Sequence, residues 1–331
     1  MTPTPPTAGP PVRDVARASA PPPAVRPHPL AHRRGPGGVG RAPCHHGEIL
    51  QGVFLDADGR PCRGVVTLPV PGTGTTATFV RRPGSPAEHL TVRPTGRDKA
   101  RRAAVLAVTE CARRAGHRPC GGWLRLHGEV PVGIGMGSST SDVIAAVRAV
   151  AASFGVRLPP ETVARIAVRA ERASDPLMLG DHATLFASRQ ARVLEDFGRP
   201  LPAVVVLSCT TGAGRPVDTL ALPAPSVREV PAYEELRAAV RQAVATADVA
   251  LLALVSTESA RRNQALLGKP ELDVLERVAA RTGAAGVQVA HTGNVAGLLF
   301  DPATPDLSAR LRRAARCLSA RGLPVGRTFG S

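Results

Sequence analysis

The chain has 331 residues and a formal net charge of +16, and only 3% of its residues are aromatic. This length allows two domains of roughly 100 to 200 residues each, and the charge favours an acidic partner: a nucleic acid, an anionic membrane surface or a small phosphorylated ligand. Because the arginines are dispersed and aromatic residues are scarce, the composition argues against a surface that stacks nucleic-acid bases. No segment reaches the about 18 apolar residues of a membrane span, and no signal-peptide pattern is present, so we expect a cytoplasmic protein.

Residues 1–38 are rich in Pro, Ala, Gly and Arg and hold few large apolar side chains, so we expect a disordered tail. The six cysteines are scattered without a C-x-x-C pair, which favours buried, reduced thiols over a disulfide framework or a zinc site. A metal site at Cys44, His45 and His46 is a weaker alternative, because it would need further ligands from distant parts of the chain.

The rest of the chain alternates strand and helix patterns. Strands are predicted at 64–70, 75–80, 89–94, 123–130, 203–208 and on both sides of a glycine turn within 286–300. Helices are predicted at 97–116, 143–155, 159–175, 232–255, 256–281 and 307–320. The segment around 40–55 is interpreted as a short turn with an apolar continuation. This order predicts an α+β fold with one domain over 39–200 and another over 201–331.

Between the strand at 123–130 and the helix that follows lies "PVGIGMGSSTSD", residues 131–142. Glycine at 133, 135 and 137 permits positive φ angles and lets backbone N–H groups approach a ligand closely. The helix N-terminus behind the loop favours an anion, so we predict a phosphate site. The alternative is a glycine-rich connection closed by a capping box of Ser139 and Asp142. The segment is not a Walker A loop, because no Lys follows its last glycine.

Three segments resemble, in family order, the motifs of the GHMP kinases, the family of galactokinase, homoserine kinase and mevalonate kinase. They are "APCHHGEILQG" at 42–52, the glycine loop at 131–142 and "GVQVAHTGNVAGLLF" at 286–300. The first two together are most similar to the L-threonine kinases of cobalamin biosynthesis. The resemblance implies a ribosomal-S5-like, ATP-binding N-terminal domain and a C-terminal domain of the ferredoxin-like α/β plait type.

The resemblance also implies roles for individual residues. Asp175 and Ser139 are the expected catalytic residues, with Asp175 orienting or deprotonating the acceptor hydroxyl, and Ser139 and Glu171 would bind Mg²⁺. The residues expected to hold ATP share the glycine loop: Pro131, Gly133, Gly135, Met136, Gly137, Ser138, Ser139 and Thr140. Those expected to contact the acceptor come from the two outer motifs: His46, Gly47, Glu48, Thr292, Gly293 and Asn294.

Several of these residues have a structural alternative. Glu171 could be a solvated side chain on a helix surface, Asp175 could end a helix before Pro176, and Glu48 could lie on the surface at a strand end. Residues 292–294 could form only a hairpin turn. A second candidate acid and base, the neighbouring Asp181 and His182, follows shortly after Asp175.

The sequence therefore predicts a kinase that uses Mg²⁺ and ATP to phosphorylate the side-chain hydroxyl of a small amino acid. L-Threonine is the leading acceptor, and another hydroxylated amino acid is the close alternative. Two other classes stay open: a nucleotide-binding regulator without catalysis, and a basic nucleic-acid-binding protein. We expect a small-molecule partner and neither nucleic acid nor membrane, and a homodimer is compatible with the sequence.

Overall fold

The computed structural model describes residues 37–130, 133–212 and 223–331. The tail predicted over 1–38 lies outside the described residues except for its last two positions. No helix in the described ranges is both long and apolar enough to cross a membrane.

The described residues form ten strands. They are β1 (Gly37–Leu55), β2 (Pro61–Arg82), β3 (Leu90–Arg93), β4 (Gly121–Gly128), β5 (Thr184–Ala187), β6 (Arg192–Asp196), β7 (Val205–Thr210), β8 (Gly286–Val289), β9 (Val295–Phe300) and β10 (Val325–Gly330).

Eight α-helices lie in the same described ranges, with one short 3₁₀ turn at Val227–Glu229. They are α1 (Asp98–Ala115), α2 (Ser138–Ser153), α3 (Pro160–Glu171), α4 (Val230–Thr246), α5 (Val249–Arg262), α6 (Gln264–Leu267), α7 (Leu272–Thr282) and α8 (Leu307–Ser319). The α+β class is confirmed, whereas the domain boundary near residue 200 stays a prediction.

One sheet carries the strands in the order β10-β7-β9-β8-β1-β2-β4-β3, with β5 added to β2 and β6 to β5. Strand β1 pairs with β2 along almost its whole length and meets β8 at Glu48 and Val289. The first half of the chain is therefore joined to the second half at Glu48.

The segment around 40–55 differs from the prediction, because it is a single long strand instead of a turn with an apolar continuation. The turn signal corresponds to irregular pairing with β2 between His45 and Leu50, and Gly47 has a φ of 65°. A bulge of this kind redirects neighbouring side chains. Two other predicted sets of boundaries also differ from the structure. The predicted strands at 64–70 and 75–80 are both parts of β2, and the predicted helical stretches between 232 and 281 are divided among α4 to α7.

Helix α2 is held close against β1, and this fixes where the helix begins. A Cβ atom on Gly40 would lie 2.2 Å from the carbonyl oxygen of Ala145, so only glycine permits the approach. The apolar face of α2 packs with α1 and α3 into one hydrophobic cluster, which includes Val143, Ile144 and Val147. The N-terminus of α2 is thus presented at a fixed position beside β1.

The capping box proposed for Ser139 and Asp142 is wrong. Helix α2 begins at Ser138, follows a left-handed Gly137 and has no side-chain cap. Asp142 instead accepts a 2.7 Å hydrogen bond from Thr75 Oγ1 on β2 and lies 3.3 Å from Arg97 Nε. Tertiary contacts to β2 and α1 therefore explain Asp142, and the three glycines of the loop remain available for another role.

Candidate active site

A cleft of about 370 Å³ opens at the N-terminus of α2. It collects side chains from the glycine loop, the bulged part of β1, the start of β2 and the segment after α3. The predicted residues that line it are Glu48, Gly133, Gly135, Gly137, Ser138, Ser139, Thr140, Glu171, Asp175 and Thr292. Most of the predicted site is thus brought together by the fold.

The glycine loop has the backbone geometry expected of an anion site. Gly133, Gly135 and Gly137 all have positive φ angles, of 88°, 89° and 64°. The first backbone hydrogen bond of α2 runs from Ser141 N to Gly137 O, so the amides of Ser139 and Thr140 precede it and have no carbonyl partner within the helix. These amides and the positive end of the helix dipole favour a phosphate group at the loop. Pro131 lies outside the described residues.

The turn at 292–294 supports the loop from the other half of the chain. The carbonyl of Ile134 accepts hydrogen bonds from the amides of Asn294 (2.9 Å) and Val295 (3.1 Å). Gly293 packs directly against Gly135, since a Cβ on Gly293 would lie 2.1 Å from Gly135 Cα.

Three residues that were predicted to contact ligands do not line the cleft: Met136, Gly293 and Asn294. Of the turn at 292–294, only Thr292 lines the cleft, whereas Gly293 and Asn294 hold the loop. Met136 does not line the cleft either, and its carbonyl accepts a hydrogen bond from the His45 amide.

Two carboxylates, Glu171 and Asp175, share the hydroxyl of Thr140. Its Oγ1 lies 3.0 Å from Glu171 Oε1 and 3.2 Å from Asp175 Oδ2, and Ser139 Oγ lies 3.4 Å from Glu171 Oε2. Glu171 is buried, so the solvated-surface alternative is wrong. Burial, together with the negative charge of Asp175, raises the pKa of Glu171 to about 7, although Lys99 opposes this shift from 3.9 Å. Extra positive charge at this position would stabilise both carboxylates.

His45 forms a charged pair with Asp175. Its Nδ1 lies 3.1 Å from the carbonyl oxygen of Gly47 and its Nε2 lies 3.0 Å from Asp175 Oδ2. The carbonyl of Gly47 can only accept, and the Asp175 carboxylate accepts when it is ionised, so this arrangement favours the doubly protonated imidazolium form of the ring. Burial lowers the pKa of His45, but the charge and hydrogen bond of Asp175 outweigh burial and raise it above its ordinary value.

The same pair keeps Asp175 ionised. Burial favours the neutral acid, but the positive charge of His45 and the hydrogen bonds from His45 and Thr140 hold the pKa of Asp175 below its ordinary value. The ring of His45 also lies under the loop, since a Cβ on Gly137 would lie 2.2 Å from His45 Cδ2. A carboxylate able to accept a proton is therefore fixed beside the glycine loop.

His46 is a correction to the prediction, because it faces away from the cleft. Its Nδ1 donates to Gln288 Oε1 at 2.6 Å, and its Nε2 accepts from Ser208 Oγ at 2.8 Å. Burial lowers the pKa of His46 to about 4, so the ring is neutral. Gly47 does not line the cleft either. It shapes the bulge, where a side chain would collide with Gln288 and Ala290.

Glu48 lies in the cleft and is buried, so the alternative of a surface strand end is wrong. It accepts a 3.1 Å hydrogen bond from the amide of His291. Burial raises the pKa of Glu48 to about 7, against the opposing charge of His45. A cationic ligand group beside Glu48 would favour its ionised form.

The comparisons with known proteins agree with this geometry. Residues 101–186 match the family model described as "GHMP kinases N terminal domain". Residues 101–186 are therefore similar to the N-terminal domain of GHMP kinases. The matched segment includes the glycine loop at 131–142, one of the three motifs that predicted this resemblance.

Curated relatives and solved structures of GHMP kinases extend the match. The chain is 28% identical to the L-threonine kinase of Salmonella typhimurium over 55% of its own length and 61% of the relative's. It is 30% identical to the L-threonine kinase of Citrobacter freundii over 52% of its length and 60% of the relative's. The chain thus spans about three fifths of these relatives.

Among solved structures, the homoserine kinase of Cytophaga hutchinsonii superposes with a TM-score of 0.64 at 14% identity, covering 92% of this chain and 97% of that one. The galactokinase of Lactococcus lactis gives a TM-score of 0.60 at 13% identity, covering 88% and 93%. At these identities the superpositions establish the GHMP kinase fold.

Other residues of the cleft were not found from the sequence. They are His45, Gln51, Arg63, Val65, Lys99, Ala173, Ser174, Ser188 and Arg189. His45 and Gln51 had a usable signal, because both lie in the motif at 42–52 that resembles a GHMP kinase motif. The others belong to elements with no common sequence pattern.

Two further alternatives are settled by position. Asp181 and His182 line a separate cavity, where His182 pairs with Asp196 at 3.2 Å. Among the described residues, no group of three or more His, Cys, Asp or Glu side chains could hold a metal ion, which leaves the metal site at Cys44, His45 and His46 without support there.

Five of the cysteines are free and buried as predicted, and Cys317 is half-buried.

His45→Gln is expected to move the acidic limb of the pH profile of kcat/KM to higher pH by about 1 to 3 units. Glutamine can still donate a hydrogen bond to Asp175, but it carries no charge. Without the imidazolium the carboxylate is less stable, so the pKa of Asp175 rises and activity is lost at a higher pH. Steady-state kinetics between pH 4 and pH 9 would measure the shift.

His46→Gln is the matched control for this experiment. It replaces the adjacent histidine, which is buried, neutral and bonded to the sheet interior. We expect it to lower thermal stability and leave the acidic limb in place. An acidic limb that is unchanged in His45→Gln would show that His45 does not set the charge of Asp175.

Proposed function

We propose that this protein is an ATP-dependent kinase that phosphorylates the side-chain hydroxyl of an amino acid, with L-threonine as the leading acceptor. The observation that carries the proposal is the position of Asp175. An ionised carboxylate, paired with His45 at 3.0 Å, lies in the same cleft as a glycine loop suited to phosphate. Phosphoryl transfer to an alcohol needs these two features together.

The donor end of the cleft is the glycine loop with the N-terminus of α2. Its positive-φ glycines leave room for phosphate oxygens, and a Cβ on Gly133 would meet no heavy atom of the described residues within 4 Å. The amides of Ser139 and Thr140 and the helix dipole would stabilise the β- and γ-phosphates of ATP. Lys99, which is half-exposed and lies 3.9 Å from Glu171, would add positive charge on the same side.

The residues beside the loop also fit Mg²⁺. Ser139, Thr140, Glu171 and Asp175 supply hard oxygen atoms within one cluster, and the raised pKa of Glu171 indicates a carboxylate that lacks enough positive charge. Ser139 and Glu171 would hold the ion, with water completing its coordination. Mg²⁺ supplies positive charge that offsets the negative charge developing on the phosphoryl oxygens.

Asp175 would act at the acceptor end. The hydroxyl oxygen attacks the γ-phosphorus, its proton passes to the Asp175 carboxylate, and the bond to the β-phosphate oxygen breaks to release ADP. The imidazolium of His45 would keep Asp175 ionised before the reaction. Glu48, buried in the same cleft, would pair with the α-ammonium group of an amino acid.

L-Threonine is favoured because the two curated relatives described above are L-threonine kinases. Another hydroxylated amino acid is the close alternative, and a place in cobalamin biosynthesis would follow only from preference for threonine. A cytoplasmic location, a homodimer and the absence of nucleic-acid binding stay predictions.

The test is ADP release from Mg·ATP with L-threonine, L-serine, L-homoserine and hydroxylated basic and branched amino acids as acceptors. Ser139→Ala serves as the blank, and an arm with EDTA tests the need for a divalent ion. We expect the highest kcat/KM with L-threonine and loss of turnover with EDTA. Preference for another amino acid would support the proposed kinase activity and replace L-threonine as the proposed acceptor. Binding of ATP without turnover of any acceptor would favour a regulator.

A further inference from the structure

One part of the cleft, the strand end, is formed by three paired strands. On β2, Arg63 and Val65 are two residues apart and therefore point to the same face. Gln51 of β1 lies opposite Val65 in the register, and Ser188 directly follows β5, which pairs with β2. All of these side chains line the cleft. They define the strand end of the cleft, and none of them belongs to the glycine loop.

Arg63 is a buried cation at this end with few partners. Its residue is 8% exposed, and among the described residues its guanidinium group has one hydrogen bond, from Nη2 to the carbonyl oxygen of Pro223 at 2.9 Å. Its Nε is buried and has no hydrogen-bond partner in the part of the chain that the structure describes. Among the described residues, no carboxylate lies within 4.0 Å of the group. Burying a charge without a counter-charge is costly, so the position favours an anionic ligand.

A second guanidinium group strengthens this preference. Arg189 also lines the cleft and lies close enough to influence Arg63. Burial lowers the pKa of Arg63, Glu229 opposes this, and the positive charge of Arg189 lowers it further. The planar guanidinium group of Arg63 suits a carboxylate that accepts two parallel hydrogen bonds.

We propose that Arg63 binds the carboxylate of the acceptor and thereby selects acceptors that carry a free carboxylate. This inference rests on the proposed function and narrows its substrate class. Glu48 would take the α-ammonium group and Arg63 the α-carboxylate, which orients the side-chain hydroxyl toward Asp175. Sugars and other neutral polyols, which lack a carboxylate, would bind weakly at this end.

The experiment compares kcat/KM for L-threonine and L-threoninamide, with L-serine and L-serinamide in parallel, in wild-type protein, Arg63→Lys and Arg63→Met. The amide keeps the hydroxyl and the amine and replaces the carboxylate with an uncharged carboxamide. In wild-type protein we expect the acid to be preferred by on the order of 100-fold. In Arg63→Met this preference should disappear, while the KM for Mg·ATP stays unchanged, and Arg63→Lys should give an intermediate preference.

Arg148→Met is the matched control. Arg148 donates to two carbonyls, at 2.7 Å from Arg41 O and 3.3 Å from Met178 O, and lines a different cavity. We expect it to lower the thermal unfolding temperature without changing the preference for acid over amide. If Arg63→Met does not fold, Arg63→Lys, which keeps the positive charge, takes its place in the comparison of acid with amide.

Two outcomes would overturn the inference and are distinguishable. If wild-type protein and both Arg63 variants use acid and amide equally well, Arg63 does not bind the acceptor carboxylate, and the proposed kinase activity stands. If wild-type protein turns over none of the four acceptors, the proposed function fails and this inference fails with it.

Discussion

Asp175→Asn is expected to lower kcat by about 10² to 10⁴-fold and to change the KM for Mg·ATP little. Asparagine has nearly the same shape, but it cannot accept a proton from the acceptor hydroxyl. It also leaves the buried imidazolium of His45 without its counter-charge. Steady-state kinetics at saturating acceptor would measure kcat, and variation of ATP would measure its KM.

Asp196→Asn is the matched control, because Asp196 also pairs with a histidine. That pair, Asp196 with His182 at 3.2 Å, is exposed and lies outside the cleft. We expect kcat close to that of the wild-type protein in this variant. A kcat for Asp175→Asn that is also near normal would leave Asp175 with only its structural position before Pro176.

The KM for Mg·ATP is expected to be about 10 to 100 times higher in Gly135→Ala than in Gly133→Ala. Both glycines have nearly the same φ, 89° and 88°, so the backbone strain of the two substitutions is similar. At Gly135 the new Cβ would lie 2.6 Å from Gly293 Cα, whereas at Gly133 it meets no atom of the described residues within 4 Å. Overpacking of this kind costs about 1 to 3 kcal/mol, and about 1.4 kcal/mol corresponds to a tenfold change.

Gly293→Ala tests the same contact from the opposite side. Its Cβ would lie 2.1 Å from Gly135 Cα, so we expect a similar increase in the KM for Mg·ATP although the residue does not line the cleft. Equal effects of Gly133→Ala and Gly135→Ala, with no effect of Gly293→Ala, would contradict the idea that the turn at 292–294 positions the loop.

Features that depend on neighbours in the chain were predictable. Helix α1 was expected to end at Gly116, and Gly116 has the left-handed conformation that ends it. The glycine loop was expected between a strand and a helix, and its three glycines have positive φ. In both cases the conformational freedom of glycine acts over a few residues and needs no partner elsewhere.

The two adjacent histidines show where local patterns fail. His46 was expected to contact the acceptor, yet His45 faces Asp175 and His46 is bonded to Gln288 and Ser208. Side chains alternate between the faces of a strand, and a bulge changes that alternation, so the face depends on the pairing of β1 with β2 and β8. The state of Glu171, buried instead of solvated, depends in the same way on the packing of α3.

The sequence by itself determined the α+β class, the order of most strands and helices, the glycine loop and the resemblance to the GHMP kinases. These follow from short-range periodicity, from glycine and from contiguous motifs. Only the tertiary structure decided that His45 pairs with Asp175, that Gly293 and Asn294 support the loop, and that Arg63 lines the same cleft. Each of these depends on distances between residues far apart in the chain, which are set by strand register and helix packing.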